Sequence, residues 1–232
     1  MVNANNYRSV PSVAKNILYK VYAFMAGALL ITAAVALYVA NQPTLIQKLV
    51  TNPWLLLFLF MLQLAIVIIL LAAILKLNFA TAFILLILYA ILMGITFSTI
   101  FLLYNIGTIY TAFFVTAGMF FCMALYGYFT KTDLTNVGKY SIMALFGLII
   151  GMVVNIFLKN GTVDYIITLA GIIVFTLLTA YDVQKIKKVS EFLIGQGELE
   201  NKIAILGALT LYLDFINLFL MLLRLFGRRG NE

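Results

Sequence analysis

The sequence predicts an all-α membrane protein with seven transmembrane helices. Of its 232 residues, 65% are hydrophobic and 10% are charged, a composition far outside that of soluble domains. Its apolar segments are long and continuous, whereas the strands of a membrane β-barrel alternate apolar and polar residues over about ten positions. We therefore expect the chain to cross the bilayer as helices.

The first two spans are separated by a pair of prolines. Residues 1–20 are polar and form the predicted cytoplasmic N-terminal segment, and Val21–Ala40 is long enough to be an uncleaved first helix. Pro43 and Pro53 bracket a connection, because proline resists continuation of a helix. Trp54–Leu75 is the predicted second span.

The next two spans lie in one uncharged stretch. Leu77–Thr130 contains 54 residues without a charged side chain. That is too long for one helix, which rises about 1.5 Å per residue through a hydrocarbon core of about 30 Å. The turn-like cluster Tyr104–Thr108 divides it into predicted spans Ala80–Leu103 and Thr108–Phe129.

Three further apolar segments complete the set. The predicted fifth, sixth and seventh spans are Tyr140–Leu158, Asp164–Val183 and Ile203–Leu223. Together, the seven spans predict a single transmembrane domain over residues 21–225, followed by a C-terminal tail over residues 226–232.

The distribution of basic residues predicts a cytoplasmic N-terminus. With that orientation, the outer connections carry only Lys48 and Lys159, and the positive-inside rule is satisfied. Arg224, Arg228 and Arg229 then lie outside, against the rule, but we expect the last helix to cross fully. The predicted inner segments carry ten basic residues: Arg8, Lys15, Lys20, Lys76, Lys131, Lys139, Lys185, Lys187, Lys188 and Lys202.

Several classes of function are disfavoured by composition. The chain has no histidine and one cysteine, Cys122, which removes imidazole-dependent catalysis and an internal disulfide. Its net charge of +7 is scattered over short connections and both ends, so we predict no nucleic-acid partner. The last span has no interior lysine for a retinal Schiff base, and no nucleophile has a base beside it. We predict neither an enzyme nor a cofactor.

Asp214 lies in the middle of the last apolar segment, three residues before Asn217. A charge near the centre of a membrane helix costs several kcal/mol unless it is protonated, paired or hydrated. Asp214 is therefore a candidate functional residue.

A second acid, Asp182, ends the sixth span at a matching depth. The turn signal Gly195–Gly197 predicts a helical hairpin, with residues Lys185–Lys202 projecting from the inner face. Asp182 and Asp214 then both lie roughly 22 to 26 Å from the tip.

Each acid shares a helix face with other polar residues. Thr179 lies on the side of Asp182, and Thr210 and Asn217 lie on the side of Asp214. If these faces meet, two carboxylates so close cannot both ionise easily, and the pair shares a proton or holds a cation. Two alternatives remain: Asp182 lies at the interface beside water and Lys185, or Asp214 is a protonated structural acid.

Three short segments resemble the Bax inhibitor-1 family of membrane proteins: Tyr181-Asp182, Leu211–Phe219 and Leu222–Arg224. The resemblance implies six helices surrounding a central seventh helix. It also implies a pH-sensitive calcium leak channel, regulated by protonation of an aspartate pair on the sixth and seventh helices. Those positions match Asp182 and Asp214, which are then the proton-sensing residues and tentative calcium ligands. Bacterial members lie in the inner membrane, which is the predicted location.

The sequence departs from the family near the end of the second helix. There the resemblance implies an arginine cluster that closes the pore, but this chain has only Lys76, the candidate gate. An ammonium cannot replace a bidentate guanidinium, so a tight latch is not predicted. Similarly, Gln63 occupies a position on the inward face of the second helix where the resemblance leads us to expect an acid.

An alternative function is a membrane regulator that transports nothing and binds other membrane proteins, such as a quality-control protease or a cell-death regulator. Its predicted surfaces are residues 1–20 and the hairpin Lys185–Lys202. The predicted partners under the leading hypothesis are the lipid bilayer, calcium ions and protons.

Overall fold

The structure is a computed structural model and describes residues 6–193 and 197–229. Every regular element within these ranges is an α-helix. The helices are α1 (Asn6–Ala40), α2 (Pro43–Thr51), α3 (Pro53–Ala73), α4 (Phe79–Phe97), α5 (Ile100–Leu103), α6 (Ile106–Phe129), α7 (Thr135–Leu158), α8 (Gly161–Phe192) and α9 (Glu198–Arg229).

The described residues contain seven helical stretches that are long and apolar enough to cross a membrane, as predicted. The seven stretches are Asn16–Ala40, Pro53–Ala73, Phe79–Leu103, Ile106–Phe129, Thr135–Leu158, Gly161–Phe192 and Glu198–Gly227. The predicted all-α membrane fold is therefore confirmed.

Several helices extend beyond their predicted limits. Helix α1 begins at Asn6, so much of the predicted N-terminal segment is helical. Ile17 and Leu18 are buried on the N-terminal side of the predicted start at Val21, and this packing favours an earlier start of the helix. Helix α7 begins at Thr135, and α8 and α9 run on to Phe192 and Arg229, because hydropathy marks where a helix is apolar and not where it ends.

The connection between the prolines contains a helix that was not predicted. Pro43 and Pro53 stand in the first turns of α2 and α3, where the missing N–H leaves no helical bond unmade. Ile46 and Leu49 of α2 are buried. The prolines thus mark helix boundaries correctly, but they start helices as well as end them.

The predicted third span is divided near its end. Helix α4 stops at Phe97 and α5 starts at Ile100. Ser98 Oγ donates to the carbonyl of Ile95, and Thr99 Oγ1 donates to that of Thr96. Such local side-chain bonds compete with the regular helical pattern, which accounts for the break.

The first compact unit contains the described residues up to Leu103 together with Lys188–Tyr212. Its core includes the fully buried Tyr212, whose hydroxyl lies 2.7 Å from Thr32 Oγ1. The Tyr89 ring meets the Tyr212 ring edge-on at 5.6 Å. A Cβ atom on Gly94 would lie 2.7 Å from the Thr32 carbonyl oxygen, so glycine is required for the close approach of α1 and α4.

The second unit contains Tyr104–Lys187 and the part of α9 from Leu213 onward. In this unit α8 packs closely on three helices. Gly127 of α6 lies against the Ala180 carbonyl, and Gly138 of α7 lies against the Tyr181 ring. On α9, Met221 lies against Gly171 of α8.

Helix α9 belongs to both units and is the most buried span. Within its most apolar window 67% of residues are buried, against 11% to 44% in the other six spans. High burial is what a central helix requires. The arrangement of six helices around it stays a prediction.

Candidate functional site

Asp182 of α8 and Asp214 of α9 both lie in the second unit. The two carboxyl groups are close enough to influence each other electrostatically, and the two residues are buried, at 9% and 5% exposed. Ionised carboxylates only accept hydrogen bonds, so a hydrogen bond between two carboxyl groups would require a proton on one of them. That the two acids act as a pair, and the role of that pair, stay predictions.

The second carboxyl oxygen of Asp214 has no partner. Asp214 Oδ2 is buried and accepts no hydrogen bond from any residue that the structure describes. A buried acceptor left unpaired costs about 1 to 3 kcal/mol. The pair therefore has an unused acceptor position suited to a proton donor or a cation.

The neighbouring polar residues donate to their own helices. Thr179 Oγ1 donates to the Phe175 carbonyl at 2.8 Å, and Thr210 Oγ1 donates to the Leu206 carbonyl at 3.0 Å. Asn217 Nδ2 does the same to the Leu213 carbonyl at 2.8 Å. The two threonine hydroxyls have used their single donor, whereas Asn217 keeps one N–H free of the bond to Leu213. Each of the three side chains also keeps an acceptor oxygen.

Lys185 is the cation whose field reaches Asp182. It lies three residues further along α8, is exposed, and its Nζ atom lies 5.8 Å from the centre of the Tyr181 ring. One alternative placed Asp182 at the membrane interface beside water and Lys185, and the influence of Lys185 on Asp182 agrees with that part of it. Asp182 is also buried near a second acid, which that alternative did not include.

On α8, Gln184 and Lys187 bind the connection between α6 and α7. Gln184 Nε2 donates to the Thr132 carbonyl at 2.8 Å, and Gln184 Oε1 accepts from the Leu134 N–H at 2.9 Å. Lys187 Nζ donates to the Tyr128 carbonyl at 2.9 Å. Sequence reasoning missed these contacts. The available signal was an amide side chain two residues after Asp182, at the end of the apolar part of the helix.

Two other polar residues singled out by sequence lie in the first unit. Lys76 is exposed in the turn after α3, and its role as a gate stays a prediction. Gln63 is buried, and its Nε2 donates to the Leu92 carbonyl at 3.0 Å and to Thr96 Oγ1 at 3.3 Å. An ionised acid could not donate these bonds, so the amide at this position serves to join α3 to α4.

The donor set fits a calcium ion that is held weakly. Calcium takes six to eight oxygen ligands, and its affinity rises with the number of charged ligands. Asp182 and Asp214 supply two carboxyl groups, and the described residues contain no group of three or more acids or thiols that could hold a metal. Water would have to supply several of the ligands.

The fold and the site together define a class: a multi-pass helical membrane protein with a buried carboxyl pair on its last two spans. A family model described as "Inhibitor of apoptosis-promoting Bax1" matches residues 14–231. The chain belongs to the Bax inhibitor-1 family.

Bacterial proteins are similar to it over most of their length. The inner membrane protein YbhL of Escherichia coli K12 is 49% identical over 212 residues, 90% of each chain. A protein of Borreliella burgdorferi is 38% identical over 232 residues and the full length of both. The protein RP147 of Rickettsia prowazekii is 38% identical over 214 residues, 92% of this chain and 90% of that one. The chain is accordingly a multi-pass inner membrane protein.

Proposed function

We propose that the protein is a pH-sensitive calcium leak channel, a passive cation pathway regulated by protonation of Asp182 and Asp214. The observation that carries the proposal is the burial of these two neighbouring acids, with Asp214 Oδ2 left without a partner among the described residues. Membership of the Bax inhibitor-1 family supports it.

The proposed regulation follows from the charge of the pair. With one shared proton, the carboxyl groups bind each other and carry a single negative charge. Loss of that proton leaves two negative charges in contact, which repel each other and attract a divalent cation. Acceptor oxygens of Thr179, Thr210 and Asn217 are available as further ligands. Protonation therefore competes with calcium for the same oxygens.

The test is calcium flux into dye-loaded proteoliposomes over a range of pH. We expect flux in the wild type to change with pH, and Asp182→Asn and Asp214→Asn each to lose that dependence, since a single carboxyl group cannot share a proton. Asp164→Asn is a matched control, because this acid lies on the same helix but next to Arg224, 3.9 Å away. It should keep the wild-type profile.

Two outcomes would contradict the proposal. One is wild-type flux no greater than that of empty liposomes. The other is an unchanged pH profile in both asparagine variants, with both proteins folded and inserted.

The alternative function, binding of other membrane proteins, was predicted to use residues 1–20 and the hairpin Lys185–Lys202. The first turns of α9, within that hairpin, contact other helices. Asn201 Oδ1 accepts from Lys20 Nζ of α1 at 2.7 Å, and Glu198 Oε1 accepts from the Phe79 N–H at the start of α4 at 3.3 Å. The tip of the hairpin, residues 194–196, lies outside the described residues. Regulation through a protein partner stays a prediction, and no contact favours it over the channel.

A further inference from the structure

A cavity lies in the first unit, between the last turns of α1 and α4 and the segment that joins α1 to α3. Its volume is about 270 Å³. An apolar cavity of about 150 Å³ can take up a benzene molecule, so this cavity has room for a longer stretch of hydrocarbon. Apart from Lys48, the lining consists of six aliphatic residues: Val39, Leu45, Leu49, Leu55, Leu59 and Ile95.

The cavity runs from an exposed mouth to a buried floor. Leu45 and Lys48 of α2 are exposed, whereas Leu49 and Leu59 are buried. Leu59 is six residues after Pro53, the first residue of α3, which places it about 9 Å along the helix axis from the start of that span. The cavity thus extends from the end of the span into its apolar part, which is the direction of an acyl chain in a bilayer.

The mouth lies at the level where the spans end. Trp54 stands in the first turn of α3 and is 79% exposed, a position typical of an aromatic anchor in the membrane interface. Helix α2 has nine residues, too few to cross a bilayer. It packs on α1 and α3 with its buried residues Ile46 and Leu49. Helix α2 therefore lies at the interface and carries Lys48 to the mouth.

Lys48 has no counter-charge in this part of the chain. No other charged residue occurs between Lys20 and Lys76, and the first acid of the sequence is Asp133. Lys48 makes no ion pair with any residue that the structure describes. A lysine in such a place lays its aliphatic stem along apolar surface and keeps its ammonium group at the polar boundary. The site therefore combines apolar walls with an unpaired positive charge at their open end.

We infer that the cavity binds an acyl chain of a membrane phospholipid with a net negative headgroup, and that the headgroup pairs with Lys48. Basic pockets between membrane spans bind anionic lipid headgroups in this way. A free anion would use Lys48 and leave the apolar walls empty, and an uncharged lipid would fill the walls and leave Lys48 unpaired. An anionic lipid uses both parts of the site. The inference does not depend on the proposed channel.

The test is quenching of the fluorescence of Trp54, the only tryptophan of the sequence, which precedes the cavity-lining Leu55. The full chain is placed in vesicles of phosphatidylcholine and phosphatidylglycerol, and the chains of one lipid at a time are brominated, because bromine quenches tryptophan at close range. The ratio of the two quenching curves gives the relative affinity of the two lipids near Trp54. We expect the wild type to favour phosphatidylglycerol by about fivefold, the effect of one lysine on an anionic lipid.

Substitutions separate the headgroup from the chain. Lys48→Ala should bring the ratio close to one, and Lys48→Arg should restore it. Lys159→Ala is the matched control, since Lys159 is exposed in another connection and does not line the cavity. Ile95→Phe fills the cavity and should lower quenching by both lipids, whereas Ile84→Phe, on the same helix at a residue that is 63% exposed, should leave quenching unchanged.

Three results would overturn the inference. The first is a lipid ratio that Lys48→Ala leaves unchanged, and the second is equal quenching in the wild type and in folded Ile95→Phe. The third is wild-type quenching without preference between the lipids, which an uncharged lipid or a protein occupant of the cavity would produce. If Ile95→Phe does not fold, Leu45→Phe takes its place at the mouth, where the side chain is 40% exposed.

Discussion

Tyr212 and Asp214 lie two residues apart on α9, and both bring a polar group into a buried environment. The Tyr212 hydroxyl is bonded to Thr32 Oγ1, whereas Asp214 Oδ2 has no partner among the described residues. Buried polar groups are normally hydrogen-bonded, and an exception calls for an explanation such as a ligand. The contrast marks Tyr212 as structural and Asp214 as the candidate site for an ion or proton.

Substitution of Tyr212 and of Thr32 should have unequal effects. Tyr212→Phe removes the donor but leaves Thr32 Oγ1 with the carbonyls of Ala28 and Ala90, so we expect a loss of about 1 kcal/mol in unfolding free energy. Thr32→Val leaves the tyrosine hydroxyl buried without a partner, at a cost of about 1 to 3 kcal/mol. Thermal unfolding in detergent measures both. A larger loss for Tyr212→Phe than for Thr32→Val would contradict this account.

At the scale of elements, glycines decide how closely the helices of the second unit approach. A Cβ atom on Gly127 would overlap the Ala180 carbonyl oxygen, whereas nothing lies within 4 Å of a Cβ atom on Gly118 of the same helix. Close helix contact through small residues is a common mode of packing in membranes. Gly127 therefore determines the position of α8 on α6, and Gly118 does not.

We expect Gly127→Ala to destabilise the protein by about 1 to 3 kcal/mol, the usual cost of overpacking. Gly118→Ala should be neutral or stabilising by up to about 1 kcal/mol, since alanine favours the helix. Size-exclusion recovery after heating distinguishes the two variants. Equal recovery would show that α6 and α8 can separate without cost.

Helices α8 and α9 are joined at the other end by an ion pair. Arg224 Nη1 lies 3.9 Å from Asp164 Oδ1, and both side chains are partly exposed, at 42% and 34%. Such pairs contribute about 0 to 1 kcal/mol. The contact gives one arginine of the C-terminal end a local counter-charge.

At the scale of the whole molecule, the distribution of charge predicts the orientation in the membrane. The count of basic residues predicts a cytoplasmic N-terminus. In intact cells, with Cys122→Ser as background, Lys159→Cys should react with a membrane-impermeant maleimide and Lys131→Cys should not. Both positions are exposed and lie in connections. The reverse labelling pattern would place the N-terminus outside.

Length, hydropathy and helical spacing determined much of this protein from sequence alone. The seven spans and the common depth of Asp182 and Asp214 could be predicted because each depends on a local property, the run of apolar residues or the constant rise of a helix. The family resemblance implied a function for that pair, which stays a proposal. These predictions needed no knowledge of which helices touch.

Only the tertiary structure placed the contacts between distant residues. Thr32 and Tyr212 are 180 residues apart, Lys20 and Asn201 are 181 apart, and Gln184 is 50 residues from Leu134. No local sequence pattern indicates such pairs. A threonine, lysine or glutamine looks the same in the sequence whether or not a bonding partner lies next to it in the fold. The sequence therefore predicted a common depth for the two acids, whereas the bonds of Gln184 to the α6–α7 connection were decided by tertiary packing.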